Sequence, residues 1–168
     1  MPSSPQFTPV HTDAQISTVA ELAWEIWNEF YVPIIGQMQV DYMVSKFQSA
    51  AAITTQIRDG YEYFLVQRQN HHLGYCAVLV KPQEGALFIS KFYLHGGARG
   101  SGTGRICMEF IEQLARQRGL TLLWLTVNKG NPSVNAYQRL GFCVAAELVM
   151  DIGEGFVMDD FRMEKRLA

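Results

Sequence analysis

Residues 99–104 read Arg-Gly-Ser-Gly-Thr-Gly: Gly100, Gly102 and Gly104 alternate with Ser101 and Thr103 behind Arg99. Removing side chains at alternate positions lets the backbone adopt positive φ and turn successive N–H groups toward one concave side, which cradles an anion. From Gly104 onward, Ile106, Phe110, Ile111, Leu114 and Ala115 recur at three- and four-residue spacing. A helix therefore starts at the loop and points its N-terminal dipole at the same place, an arrangement that suits phosphate. A glycine-rich turn between a strand and a helix explains the same pattern without a ligand, so the spacing alone leaves both readings open.

Two better-known phosphate loops fail on spacing. A Walker loop requires Lys and then Ser or Thr after its last glycine, whereas Arg105 and Ile106 follow Gly104 here. A dinucleotide fingerprint is spaced G-x-G-x-x-G with an acidic residue ending the next strand; this chain has G-x-G-x-G, and its next strand ends at Asn128. Cys76, Cys107 and Cys143 are odd in number and lie among apolar neighbours, which reads as core packing. His11, His71, His72 and His95 show no ligand spacing, so they read as solvated loop positions and no metal site is expected.

The elements that must position the loop follow from periodicity. A chain of 168 residues with 48% hydrophobic content suffices for one well-buried core. The expectation is a single domain over 1–168, with residues 1–5 a disordered tail. A strand over 7–10 precedes a helix capped by Asp13, whose stripe of Ile16, Val19, Ala20, Ala23, Trp24, Trp27 and Phe30 ends before Pro33. An apolar loop over 31–39 leads to a second helix over 40–59, stopped by Gly60. Strands over 61–67 and 73–80 flank the polar Arg-Gln-Asn-His-His tract as a hairpin, and a strand over 86–94 feeds the glycine loop. After the helix over 104–118, residues 121–127 are apolar on both faces, as a central strand requires. A helix over 132–140 is closed by Gly141, and strands over 142–152 and 156–167 flank a Gly-Glu-Gly turn. The sum is an α/β (α+β) chain of about seven strands and four helices.

The formal charge of −2, from 14 basic and 16 acidic residues, gives no general basic surface, which argues against nucleic acid or anionic lipid as a partner. No signal-like N-terminus and no run near the roughly 18 apolar residues of a membrane span is present, so the expected location is cytoplasmic.

The order of elements, the R-x-x-G-x-G spacing of Arg99, Gly102 and Gly104, and the later Asn-Pro-Ser-Val-Asn-Ala-Tyr-Gln-Arg-Leu-Gly-Phe segment over 131–142 resemble the GNAT superfamily of acetyl-CoA-dependent N-acetyltransferases. Asn131 stands six residues before Tyr137 where the family pattern has seven. The ending over 151–167 is similar to the last hairpin of bacterial polyamine and small-molecule acetyltransferases. The resemblance implies a single GNAT-type domain around a central mixed, mostly antiparallel sheet. It implies acetyl-CoA, hence coenzyme A, as the donor, and no metal. The amides of Arg99, Gly100, Ser101, Gly102, Thr103 and Gly104 would hold the pyrophosphate. Phe92, Tyr93 and Leu94 would pair their backbone with the pantetheine arm where their strand splays from the next. Asn128, Asn131 and Asn135 would offer further partners, although turn and capping chemistry explains each equally well.

The activity so implied is direct acetyl transfer to a primary amine of a small molecule, with Tyr137 protonating the departing thiolate. Family members place an acid on the strand before the loop, but residues 88–93 contain none, leaving Glu25, Glu29 and Glu62 as candidate bases. Trp24, Trp27 and Tyr31 are candidates for a pocket wall able to hold an ammonium by cation–π contact, and core packing is their alternative. Family habit implies a homodimer through the C-terminal hairpin. A non-catalytic coenzyme A sensor or interaction module is the competing function.

Overall fold

The computed structural model describes residues 3–168. After β1 (Gln6–Pro9) the chain enters α1 (Asp13–Phe30). The cap is Thr12, not Asp13: the Thr12 hydroxyl accepts the Gln15 N–H at 3.1 Å, and Gln15 Oε1 accepts the Thr12 N–H at 3.0 Å. A Thr three residues ahead of a Gln satisfies two orphan donors reciprocally, and Asp13 then serves as a first-turn acid.

Among the described residues the expected four helices are six, α1 to α6. The segment over 31–39 winds one turn, α2 (Val32–Ile35), before Gly36 takes φ 85°; and the expected second helix is two, α3 (Gln37–Phe47) and α4 (Ala50–Arg58). The break has a local cause. Gln48 leaves helical geometry at φ −124°, and Ser49 restarts the helix by accepting the Ala52 N–H at 3.2 Å. The Phe47 carbonyl, which a continuous helix would have paired with a backbone N–H, accepts Lys91 Nζ at 2.5 Å and Gln56 Nε2 at 3.1 Å.

The remaining elements are β2 (Glu62–Arg68), β3 (His71–Lys81), β4 (Ala86–Leu94), α5 (Thr103–Gln117), β5 (Leu122–Asn128), α6 (Ser133–Arg139), β6 (Cys143–Gly153) and β7 (Phe156–Arg166). Gln69 and Asn70, at φ 49° and 66°, make a two-residue hairpin turn. His71 and His72 therefore lie in β3 rather than in a loop.

The seven strands are ordered β1-β2-β3-β4-β5-β7-β6. The sheet is mixed: β4 and β5 run parallel, while β1–β2, β2–β3, β5–β7 and β6–β7 are antiparallel. The β4–β5 register covers Ala86–Phe88 and Leu122–Trp124, while β4 continues to Leu94 and β5 to Asn128.

The chain clusters into two compact units that divide β4 after Ser90. The first comprises the residues up to Leu79 with Lys91–Cys107. There α1 buries Ile16, Val19, Leu22, Ala23, Ile26 and Trp27, packing with α2, α3 and α4. Val66, Leu94, Ala98 and Cys107 form a cluster against which Phe7, Leu73 and Phe92 pack. At its N-terminal edge the Ser3 carbonyl accepts Arg68 Nε at 2.9 Å and Pro5 is buried; residues 1–2, the rest of the expected tail, lie outside the described residues. The second unit, Val80–Ser90 with Met108–Ala168, buries Leu123, Leu125 and Val127 of β5, Met108, Ile111 and Ala115 of α5, Phe142, and Met163 of β7. Cys76 and Cys107 are buried as expected, whereas Cys143 is exposed on β6. Among the described residues no helix is long and apolar enough to cross a membrane.

Candidate active site

In the first unit the glycine loop leaves β4 where the His95 N–H is held by the Leu73 carbonyl at 2.8 Å. Gly100 and Gly102 adopt φ 74° and 83°, and a Cβ built on either meets nothing within 4 Å. These glycines answer a backbone requirement rather than crowding, and the space beside them is open. Thr103 opens α5, whose first-turn N–H groups have no partner four residues back within the helix. The loop is braced from below. Ser101 Oγ donates to the Ala98 carbonyl at 2.8 Å and meets Thr103 Oγ1 at 2.9 Å, and Arg68 donates to the fully buried Thr103 hydroxyl at 3.3 Å. Arg99 itself is exposed, with its guanidinium 4.1 Å from the Phe30 ring centre. Open left-handed glycines, a helix N-terminus and a rigid floor fit the pyrophosphate of a coenzyme A.

The pocket residues divide. Trp27 stacks on Tyr31 at 4.2 Å, and both meet Tyr93 of β4, at 5.5 and 6.0 Å. Tyr93 in turn lies 5.4 Å from Tyr75. Trp24 is not part of this group: it is 61% exposed. Two candidate bases on α1 meet the residues after β4. Glu25 pairs with His95 Nε2 at 3.1 Å, and the Glu29 carboxylate lies against Gly96, where a Cβ would come within 2.4 Å of its Oε1. Glu62 lies on β2 opposite Val78.

Sequence reasoning missed Lys91. It is buried on β4, and its Nζ donates to the Phe47 carbonyl, to Gln56 Oε1 at 2.9 Å and to the Tyr63 hydroxyl. Burial pulls its pKa down to about 7. The strand without an acid thus carries a buried lysine bonded to the carbonyl at the α3–α4 break. Burial also pushes the Cys107 thiol up to about 12 and raises that of Cys76, so neither offers a thiolate at neutral pH.

In the second unit, β5 runs through a tight turn into α6. Asn128 Oδ1 accepts the Gly130 N–H at 2.8 Å, and Asn131 Oδ1, in a buried side chain, accepts the Ser133 N–H at 2.8 Å. Both side-chain oxygens perform turn capping, while Asn135 is exposed on α6. Tyr137 is buried in α6 with its ring edge-on to Phe142 at 5.8 Å; its carbonyl accepts the Phe142 N–H at 3.0 Å beyond Gly141, at φ 100°. One acid on β7, Asp160, is also buried, and burial, reinforced by neighbouring Asp159, pushes its carboxyl up to about 6. Among the described residues no group of three or more His, Cys, Asp or Glu could hold a metal ion.

Comparison with known proteins bears on the fold and the family. A streptothricin acetyltransferase from Streptomyces lavendulae is 39% identical over 70 residues, which is 41% of this chain and 37% of that protein, so the match spans well under half of the relative's length. PaiA N-acetyltransferase from Thermoplasma acidophilum, solved in complex with coenzyme A, shares the fold with a TM-score of 0.79 at 17% identity, covering 98% of this chain and 99% of that one. A GCN5-related N-acetyltransferase from Rhodopseudomonas palustris does so with a TM-score of 0.81 at 16% identity, covering 99% and 98%. The sequence model of the acetyltransferase (GNAT) family matches residues 19–142, nearly three quarters of the chain, and the chain belongs to that family.

Proposed function

We propose that the protein is an acetyl-CoA-dependent N-acetyltransferase that acetylates a primary amine of a small molecule by direct attack in a ternary complex. The open, braced glycine loop at the start of α5 carries this reading, because it fits the pyrophosphate of the donor. Arg99, Gly100, Ser101, Gly102, Thr103 and Gly104 hold that group through backbone N–H donors, and the backbone of Phe92, Tyr93 and Leu94 pairs with the pantetheine arm. Asn128, Asn131 and Asn135 contribute from the β5–α6 corner. When bound, the donor supplies an activated acetyl thioester. Tyr137 holds the proton that neutralises the leaving thiolate, a role suited to a hydroxyl of ordinary pKa about 10.

The acceptor amine must be deprotonated first. An alkylammonium of pKa about 10.4 is neutral in only about one molecule in two thousand at pH 7, a deficit of about 4 to 5 kcal/mol. The Trp27–Tyr31–Tyr93 cluster offers the aromatic faces that hold such a cation, with Glu25 and Glu29 on the same helix. Likeness to a streptothricin acetyltransferase makes amine-bearing antibiotics one class to test, beside polyamines and amino acids. A homodimer through the β6–β7 hairpin, where Val144, Val149, Met150 and Val157 are exposed, and action in the cytoplasm belong to the same proposal.

The second reading, a coenzyme A sensor without chemistry, draws on the absence of an acid from residues 88–93 of β4. A thiol-release assay over an amine panel separates the two. Amine-dependent release supports the enzyme, with Tyr137→Phe lowering kcat about 100-fold at nearly unchanged acetyl-CoA KM. Tight acetyl-CoA binding with no release for any amine supports the sensor.

A further inference from the structure

By sequence Arg68 belongs to the polar tract of a hairpin turn; the fold gives it a second place. It ends β2, opposite His71 across the turn, and its guanidinium reaches the first residue of α5, thirty-five positions along the chain. Nη2 donates to Thr103 Oγ1 at 3.3 Å, and Nε donates to the Ser3 carbonyl at 2.9 Å. Two bonds to different segments fix the plane of the guanidinium.

The hydroxyls beyond it run in one direction. Ser101 Oγ spends its only proton on the Ala98 carbonyl at 2.8 Å, so in its 2.9 Å contact with Thr103 it is the acceptor. Thr103 therefore donates to Ser101 and accepts from Arg68. The chain from Arg68 through Thr103 and Ser101 to Ala98 starts at a cation, and each donor polarises the next. Both loop hydroxyls are consumed within this brace, which leaves backbone N–H groups to meet an anion. All of these residues belong to the first unit.

The charge itself is not spent. Lys129, Arg162 and Lys165 each pair with an acid, but among the described residues Arg68 bonds to no carboxylate, only to a carbonyl and a hydroxyl. Its field reaches into α5, where it works against the burial that raises the Cys107 thiol, one turn beyond Thr103. Beside open left-handed glycines and a helix N-terminus, such a cation adds a full charge where the helix supplies a partial one.

We infer that Arg68 is a positioning residue for the donor: it holds the loop through Thr103 and Ser101 and supplies the unpaired cation that favours the diphosphate. The inference rests on the acetyl-CoA donor site of the reading above. It adds to the loop motif a residue from a different strand, and it assigns the N-terminal segment the task of steadying that residue through the Ser3 carbonyl.

The experiment measures binding of coenzyme A, and of dephospho-coenzyme A, which keeps the diphosphate but lacks the 3′-phosphate, to the full chain by calorimetry. Arg68→Gln keeps a hydrogen-bond donor and removes the charge; at about 50 mM salt it should weaken both ligands about 10-fold, and the gap to wild type should shrink to about three-fold at about 500 mM. Arg68→Lys keeps the charge and should stay within about three-fold of wild type at low salt; if Arg68→Gln does not fold, this variant decides, and a 10-fold loss in it overturns the inference. Thr103→Val cuts the link to Ser101, so adding Arg68→Gln to it should cost less than Arg68→Gln alone, and equal costs overturn the inference. So does a loss in Arg68→Gln under two-fold, a loss for coenzyme A without one for dephospho-coenzyme A, or a loss that salt leaves unchanged, which would make Arg68 a brace alone. Each of these leaves the donor site standing. Failure of wild type to bind coenzyme A overturns both the inference and the N-acetyltransferase reading.

Discussion

Replacing Lys91 by methionine exchanges a buried cation for an unbranched side chain of similar reach. In the wild-type protein the ammonium has three donors and three acceptors, the Phe47 carbonyl, Gln56 Oε1 and the Tyr63 hydroxyl, yet burial still brings its pKa from 10.5 to about 7. The unfolded chain keeps the ordinary value. Between pH 7 and 10.5 the unfolded state therefore binds one more proton than the folded state, so stability rises with pH across this window and is lost as pH falls through 7. Over about 3.5 units at about 1.4 kcal/mol each, the full swing is about 4 to 5 kcal/mol. The variant does not orphan the Phe47 carbonyl, which retains Gln56 Nε2 at 3.1 Å. The assay is urea denaturation of both proteins from pH 6 to 9.5, reading the difference in unfolding free energy so that titrations common to both cancel. The wild-type value should gain on the variant by roughly 1 kcal/mol per pH unit above pH 7. At pH 6, where the wild type buries a charge, Lys91→Met should match or exceed it. A difference that stays flat with pH would refute the reasoning, because Lys91 would then titrate as it does in the unfolded chain.

Gly102→Ala places a Cβ at φ 83° where no atom stands within 4 Å, so the expected cost of about 1 to 2 kcal/mol is backbone strain alone, read as a fall in Tm with weakened acetyl-CoA binding by calorimetry. Gly97→Ala, in equally open space without a positive φ, should change neither. Ser49→Ala removes the cap on α4 and should cost about 1 kcal/mol in denaturant unfolding; an unchanged midpoint would mean that tertiary packing alone holds the α3–α4 break.

The glycine loop, the strand before it and the helix after it were legible because each is fixed by neighbours in sequence. β4 runs over Ala86–Leu94 as the alternation requires, and Gly100 and Gly102 take the positive φ that their spacing suggested. The break at Gln48–Ser49 was not legible. Apolar spacing continues across it, and the bond that satisfies the freed Phe47 carbonyl comes from Lys91, forty-four residues away. Trp24 and Cys143 misled for a related reason: each has apolar neighbours in sequence, but whether the strand or helix face beneath it is covered depends on the rest of the fold. The Thr12 cap, by contrast, could have been found, since Thr-Asp-Ala-Gln spells a capping box.

Lys91 and Asp160 extend the same lesson to chemistry. On its strand Asp160 alternates in phase with Phe156, Met158, Arg162 and Glu164, a face of mixed polarity from which its burial was not legible. Sequence cannot say which acid a neighbouring cation serves: Lys129 bonds to Asp159 and Glu147, and its charge also acts on Asp160. Nor does the type of residue on β4 decide whether a base exists. Lys91 bonds toward the α3–α4 break and the Tyr63 hydroxyl, which makes it part of the framework of the first unit. The lysine of β4 therefore has a structural role. Burial separates Asp160 from the acids of α1: Glu25 is paired with His95 and about half exposed, and Glu29 is exposed.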